Sequence, residues 1–453
     1  MSRRPLDNIR VVDLSRVFAM PFAGANLADL GAEVIKIDTC QTQFMDTTRT
    51  ITGPFPGNQP GELWWEQGGT FQTLNRGKRS LTLDLRSEEA RHILKDLVSV
   101  SDIVLENFTP RVMARFGLDY ASLRAVKPDL IMVSNTGYGH SGPWSNFGAM
   151  ASSLEPTHGT GAFMGYLDAD GSPRLEPGSV PNKVGNSYTD FLATWTALLS
   201  VMAALLHRAT TGRGTWVDLA MYQAGASFVG EGLLAYSFNG ERSRRIGNRH
   251  ASMAPHGCYP CLGEDQWVTI AVRDDEDWRA FCGAIGQPNL ASMARFATVP
   301  QRLQNQDELD GVVARWTAER TSYEVMEVLQ GAGVPAGPVL TAAQALEDSH
   351  FRHRGFFEKV THPADTGLGS RDYIGRGWKF SRSTAEIAGP APLLGEANGY
   401  ALSELLGMPQ GRLDALARDE VIGTEPIGGG APSQVPLEAQ VELGWIAGYV
   451  SDY

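Results

Sequence analysis

Apolar residues in the first third of the chain fall in short runs separated by helical segments, and this alternation predicts a parallel α/β sheet. Ile9-Arg10-Val11-Val12-Asp13-Leu14 has the pattern of a buried strand, residues 22–30 that of a helix stopped by Gly31, and Val34-Ile35-Lys36-Ile37 that of the next strand. Together they form a βαβ unit. A strand over residues 80–85 leads to Ser87-Glu88-Glu89, a helix start with acids in its first turn, and to an amphipathic helix ending near Val100. Strands recur at Ile103-Val104-Leu105 and Leu130-Ile131-Met132-Val133. The expected fold class is therefore α/β, with a large domain built on a doubly wound, Rossmann-like parallel sheet.

The longest apolar stretch, residues 191–206, is shorter than a membrane span and is interrupted by Thr194, Thr196 and Ser200, so it is expected as a helix buried inside the protein. It runs on to His207-Arg208, and Thr211-Gly212-Arg213-Gly214 turns the chain into a strand over Trp216-Val217-Asp218-Leu219. A connection rich in Gly, Arg and His, residues 240–257, then precedes a second set of elements. That set comprises a strand over 267–272, a helix from about Glu276 and helical patterns through Leu329. Gly and Pro in residues 331–338 suggest a linker back. The expected layout is a large Rossmann-like domain in 1–230 and 341–420, a smaller α/β domain in 231–340, and a tail in 421–453. The weakly patterned tail is expected to wrap a surface or a partner subunit, or to be partly disordered.

A chain of 453 residues is too long for one ordinary core, which agrees with two lobes. Its 42% hydrophobic and 20% charged composition is that of a soluble globular protein. The net charge of −12 and the lack of a dense Lys/Arg block argue against nucleic acid, so an anionic substrate needs a local basic site. The start, Met1-Ser2-Arg3-Arg4-Pro5, leads into no apolar run, and four cysteines suit a reducing compartment; cytoplasmic location and no membrane association are expected. Cys258 and Cys261 form a single CxxC without a second pair, so no metal is expected. The first βα turn, Ser15-Arg16-Val17-Phe18-Ala19-Met20-Pro21, has no GxGxxG, and no Walker loop, HExxH or GxSxG occurs, which argues against NAD, ATP and serine-hydrolase chemistry.

One acid needs a reason. Asp190 ends the polar run Gly185-Asn186-Ser187-Tyr188-Thr189 and opens the long apolar helix. It fits an N-cap, accepting from the free N–H groups of the first turn. It equally fits a carboxylate held at the floor of a cleft to act as a nucleophile.

Several segments, in order, resemble the class III CoA-transferases, a family that includes the alpha-methylacyl-CoA racemases and the carnitine and formyl CoA-transferases. They are Pro5-Leu6-Asp7, Leu27-Ala28-Asp29-Leu30-Gly31-Ala32-Glu33-Val34-Ile35-Lys36, Asn75-Arg76-Gly77-Lys78-Arg79-Ser80-Leu81, Glu106-Asn107-Phe108 and Gly137-Tyr138-Gly139. Thr211-Gly212-Arg213-Gly214, Gly333-Val334-Pro335 and Ala391-Pro392-Leu393-Leu394-Gly395 complete the set. The similarity runs from Pro5 to about Glu396. It implies that Asp190 is the catalytic nucleophile, forming an aspartyl anhydride and then an aspartyl-CoA thioester. It also implies that Val17, Phe18, Asn75, Arg76, Lys78, Arg79, Leu81, Asn107, Phe108, Arg115, Phe116 and Tyr138 contact CoA, with Thr39 standing where other members carry a basic residue. No cofactor is expected to be permanently bound, since the CoA thioester is a substrate. An interlocked dimer is expected, homomeric or with a related chain.

The racemase branch needs a histidine in a Gly-His-Asp motif, and the corresponding stretch here is Phe147-Gly148-Ala149-Met150; His140 and His158 are expected as surface or turn residues. Transfer is therefore favoured over epimerisation, and a non-catalytic acyl-CoA-binding subunit is the remaining alternative. The stretch 247–257 is similar to members that act on succinyl-CoA with aryl-substituted succinates. On that similarity Arg249, His250 and His256 are candidates for a second carboxylate, and Trp64, Trp65 and Phe163 for an aromatic pocket. Carnitine-type, formyl/oxalate and malate/mesaconate acceptors stay open.

Overall fold

The computed structural model describes residues 4–50, 53–166, 184–185 and 188–450. The first three residues, and Asn186 and Ser187 of the run before Asp190, lie outside the described residues. Two compact units are present: Met1–Thr160, Lys183–Leu234 and Arg354–Tyr453 form one, and Gly161–Asn182 with Ala235–His353 the other.

The first unit holds a six-stranded parallel sheet. Its strands are β1 (Arg10–Asp13), β2 (Glu33–Asp38), β3 (Arg79–Thr82), β4 (Ile103–Glu106), β5 (Ile131–Thr136) and β6 (Thr215–Ala220), in spatial order β3-β2-β1-β4-β5-β6. Both faces are covered, which is why the strand centres carry consecutive apolar residues, as in Val11-Val12, Ile103-Val104-Leu105 and Ile131-Met132-Val133, instead of alternating. Val12, Ile35, Leu81, Val104 and Met132 pack on one face, while Val11, Val34, Ile103, Ile131 and Val133 pack on the other. The second face carries helix α1 (Ala19–Asp29); the first carries α2 (Glu88–Ser99), whose start is set by Ser87 accepting from the Ala90 N–H. Helix α3 (Tyr188–Thr211) packs beside α1 through Ala193, Ala197 and Val201. It is 24 residues long and apolar enough to cross a membrane by length and composition, yet its inner side is part of this core.

Several boundaries differ from those expected. Helix α1 begins three residues earlier, with Pro21 in its first turn, where the missing N–H has no helical partner to lose. Helix α3 begins at Tyr188, so Asp190 lies inside its first turn and is not its N-cap. Residues 331–338 are not simply a linker. The second unit contains a three-stranded antiparallel sheet, β7 (His256–Pro260), β8 (Trp267–Ala271) and β9 (Ala336–Pro338), and the Gly-Pro stretch supplies its last strand. Helices α4 (Asp275–Ala284), α5 (Gln306–Thr317) and α6 (Ser322–Gly331) close a core around Trp278, Phe281, Phe296 and Val325. The chain re-enters the first unit at Arg354. There the tail runs beside β2 and β3: Ile427 bridges Gln41, and Thr82 Oγ1 accepts from the Gly423 N–H.

Candidate active site

In a sheet of this order the chain reverses direction between β1 and β4, and the loops leaving the carboxyl ends of those strands diverge to leave a crevice. Two sequence features build its walls. Asn107, just after β4, accepts from the Arg16 N–H at 2.9 Å and donates Nδ2 to the Arg16 carbonyl at 2.8 Å, clamping the two loops together. Val17 then adopts φ of +70°, a left-handed conformation that costs a β-branched residue on the order of 1–3 kcal/mol. Its N–H donates to Asp46 at 3.2 Å, and Asp46 is itself fixed by Lys36 Nζ at 3.1 Å and by Thr48. Burial alone would lower the Lys36 pKa, but Asp46, Asp38 and Asp13 outweigh it and raise the value, keeping the ammonium charged inside the sheet.

The crevice is a cavity of about 510 Å³. Val17, Phe18, Asn107, Phe108, Tyr138 and Asp190 all line it, so six of the thirteen residues singled out from sequence converge on one place. Asp190 faces the start of α1, where Phe18 offers no side-chain cap and the Ala19 N–H partly stabilises the charge of its carboxylate. Thr194 ties the two helices by donating to the Ala19 carbonyl at 2.7 Å. Burial pushes the Asp190 pKa up to about 7 against the partial relief given by the Ala19 N–H. The surroundings give no further relief, since no Lys, Arg or His is among the described lining residues. At neutral pH the group is thus divided between acid and carboxylate, and the ionised fraction is poorly solvated, which suits a nucleophile.

The remaining sequence candidates are placed differently. Asn75, Arg76 and Lys78 are wholly buried. Arg76 donates to Asp29 at 2.8 Å, and Lys78 Nζ bonds Asp13 at 2.7 Å and Asn75 at 2.8 Å. Their charges are neutralised inside the protein and are not presented to a phosphate. Leu81 lies within β3 as a core residue and does not line the Asp190 cavity. Arg79 is about half exposed, stacked 4.5 Å over Tyr400 and 3.5 Å from Glu33; Arg115 is exposed at the end of a short helix. Phe116 lines a neighbouring cavity of about 320 Å³ with Arg16, Thr39 and Phe108, so Phe108 separates the two spaces.

Trp64 and Trp65 meet edge to face at 5.5 Å, and neither lines the Asp190 cavity; Phe163 belongs to the second unit. The aromatic wall consists instead of Phe18, Phe108, Tyr138 and Phe147. His158 is buried, not superficial, and bonds Thr189 and Thr160. In the second unit Arg249, His250 and His256 line a cavity of about 860 Å³, but Arg249 is already paired with Asp307 and Asp310. Among the described residues no group of three or more His, Cys, Asp or Glu is arranged to hold a metal. Sequence reasoning missed Arg16, whose guanidinium lies 5.4 Å over Phe108, and Asn135, a buried amide on the cavity wall. The available signal for Asn135 was a polar residue ending an apolar strand.

A family profile for CoA-transferase family III matches residues 6–398. The succinyl-CoA–D-citramalate CoA-transferase of Chloroflexus aurantiacus is 32% identical over 92% of this chain and 98% of its own. The succinate–glutarate CoA-transferase of Agrobacterium fabrum is 30% identical over 88% and 96%. A CAIB/BAIF family protein from Brucella suis has a crystal structure that superposes with a TM-score of 0.77 at 30% identity, covering 89% of this chain and all of the other.

Proposed function

We propose, on the premise that this chain belongs to CoA-transferase family III, that it moves CoA from succinyl-CoA to a second carboxylic acid through covalent chemistry on Asp190. The chain is a CoA-transferase by family; the donor, the acceptor and the aspartyl route are the proposed parts. The observation that carries the route is the half-buried Asp190 carboxylate on a cavity wall at the sheet's switch point, beside the start of α1 and with no cation among the described lining residues.

In this reading Asp190 Oδ attacks the thioester carbonyl carbon, and collapse of the tetrahedral adduct breaks the C–S bond, giving a mixed anhydride and CoA thiolate. The thiolate attacks the aspartyl carbonyl, which leaves a β-aspartyl thioester and frees the first acid. The acceptor carboxylate repeats the steps in reverse. No proton has to move, so a partner base is unnecessary. Ala149 and Met150 line the cavity in the stretch corresponding to the racemase histidine motif, which further supports transfer. Apolar lining by Phe18, Phe108 and Met221 limits hydrolysis of the anhydride.

Val17, Phe18, Asn107, Phe108 and Tyr138 take the thioester end and Phe116 the neighbouring space, while Arg79 and Arg115 meet the phosphates. The names of the relatives support succinyl-CoA as donor and a short dicarboxylic acid as acceptor. A second reading, an aryl-substituted succinate, is favoured by the four aromatic rings of the wall. The working enzyme is proposed to be a cytoplasmic dimer, homomeric or with a related chain.

Incubation with succinyl-CoA followed by mass spectrometry is expected to find acyl or CoA adducts on Asp190; an Asp190→Ala variant with full transfer activity rules the route out. Comparing D-citramalate, glutarate and benzylsuccinate as acceptors separates the two substrate readings.

A further inference from the structure

We propose that Asn135 donates a hydrogen bond from Nδ2 to the carbonyl oxygen on which negative charge develops when Asp190 attacks a thioester. The inference rests on the aspartyl route above and supplies its oxyanion donor.

Strand periodicity puts the residue in place. Along β5, Ile131 and Val133 pack on the sheet face that carries α1 and α3, and Met132 packs on the other. Period two gives Asn135 the same face as Ile131 and Val133, at the carboxyl end of the strand. The first turn of α3 brings Asp190 to that end, and both residues line the one cavity of about 510 Å³.

The carboxamide is committed to nothing else. Asn135 is only 2% exposed, and neither its Nδ2 nor its Oδ1 has a hydrogen-bond partner among the described residues. Its register partner on β6 is Leu219. In an ordinary core an apolar side chain of similar volume would be preferred at such a position, because buried polar atoms are almost always bonded. At a cavity wall the partner is what the cavity receives. Near Asp190 the thioester offers acceptors, a carbonyl oxygen and a sulfur, so the half of the amide that matches it is the N–H. Asn107 is not a substitute, since its Nδ2 is engaged with the Arg16 carbonyl.

The chemistry also favours a neutral donor here. A cation beside Asp190 would pair with the carboxylate before the reaction and weaken it as a nucleophile. An amide holds the oxygen without a net charge. As Asp190 Oδ bonds the carbonyl carbon, the π pair moves to the oxygen held by Asn135; when the pair returns, the C–S bond breaks and the thiolate leaves. The amide keeps its protons throughout, and the reverse sequence uses the same bond.

The test uses the full chain with succinyl-CoA and rapid-quench mass spectrometry of the Asp190 adduct, alongside steady-state kinetics and melting. Asn135→Leu and Asn135→Ala both remove the donor, the first at approximately the same size. Each is expected to slow adduct formation about 100-fold or more, while KM for succinyl-CoA stays within about threefold. Asn135→Thr, which restores an O–H donor, is expected to recover part of the rate. Adduct formation at the normal rate in Asn135→Leu overturns the proposal. So does a loss that follows KM or melting temperature, with Asn135→Thr no better than Asn135→Leu. If Asn135→Leu does not fold, the Ala and Thr variants carry the same comparison. Absence of any adduct in the unaltered protein is a different failure, which removes the aspartyl route itself and this inference with it.

Discussion

The raised pKa of Asp190 predicts how fast the enzyme becomes acylated at each pH. An ordinary aspartate near 3.8 is almost fully ionised at pH 5, whereas one moved by burial to about 7 is ionised to only about 1% there and to about 90% at pH 8. If the carboxylate is the attacking form, adduct formation from succinyl-CoA should fall close to 100-fold between pH 8 and pH 5, with unit slope below pH 7. Stability should carry the same signature with a definite sign. The folded-state value lies above the unfolded one, so the folded protein binds the extra proton. The cost of ionising Asp190 is absent below about pH 4, grows as pH rises to 7 and is constant beyond. A shift of about three units at 1.36 kcal/mol each sets an upper limit of about 4 kcal/mol. Asp190→Asn should therefore be more stable than the parent at pH 8 and gain less at pH 5, as read by urea unfolding at both values. Rapid-quench rates that stay flat down to pH 5, or a variant whose stability difference is independent of pH, would refute the argument that burial governs this carboxylate.

Three further outcomes follow from the same geometry. Arg49 bonds Asp38 at 3.1 Å and Glu66 at 2.7 Å with no exposed side-chain surface, so Arg49→Met should cost roughly 3–5 kcal/mol in denaturant unfolding by stranding two buried acids. Arg79 is half exposed and held only loosely, so Arg79→Ala should raise KM for succinyl-CoA several-fold with kcat and melting temperature nearly unchanged; an unchanged KM would remove it from the phosphate site. Val17 sits at φ of +70°, so Val17→Gly should stabilise the fold by on the order of 1 kcal/mol in the same unfolding assay while loosening the cavity wall and slowing turnover.

Local pattern was sufficient for the parallel sheet because a strand buried on both faces must be apolar at nearly every position. Val11-Val12 and Ile131-Met132-Val133 could therefore be recognised without partners. The helix start at Ser87 was equally plain, since capping is a contact within one turn. The linker expected at 331–338 became a strand because β8 offered Ala336–Pro338 a partner that composition does not record. Charge was misjudged for a related reason. Arg76 and Lys78 look like a basic loop in one dimension, but Asp29 and Asp13, distant in sequence, take up their charge.

The sequence by itself determined the sheet and the family and singled out Asp190 as the candidate acid, all of which depend on short-range periodicity or on ordered motifs. Only the tertiary structure decided what surrounds that acid. Asp190 had seemed able to cap its own helix; folding brings the open start of α1 to it across 171 positions and buries it beside apolar walls, with no cation among the described residues that line its cavity. Burial and long-range hydrogen bonds are properties of residues brought together in space, and they turn an ordinary acid into one that titrates near neutrality.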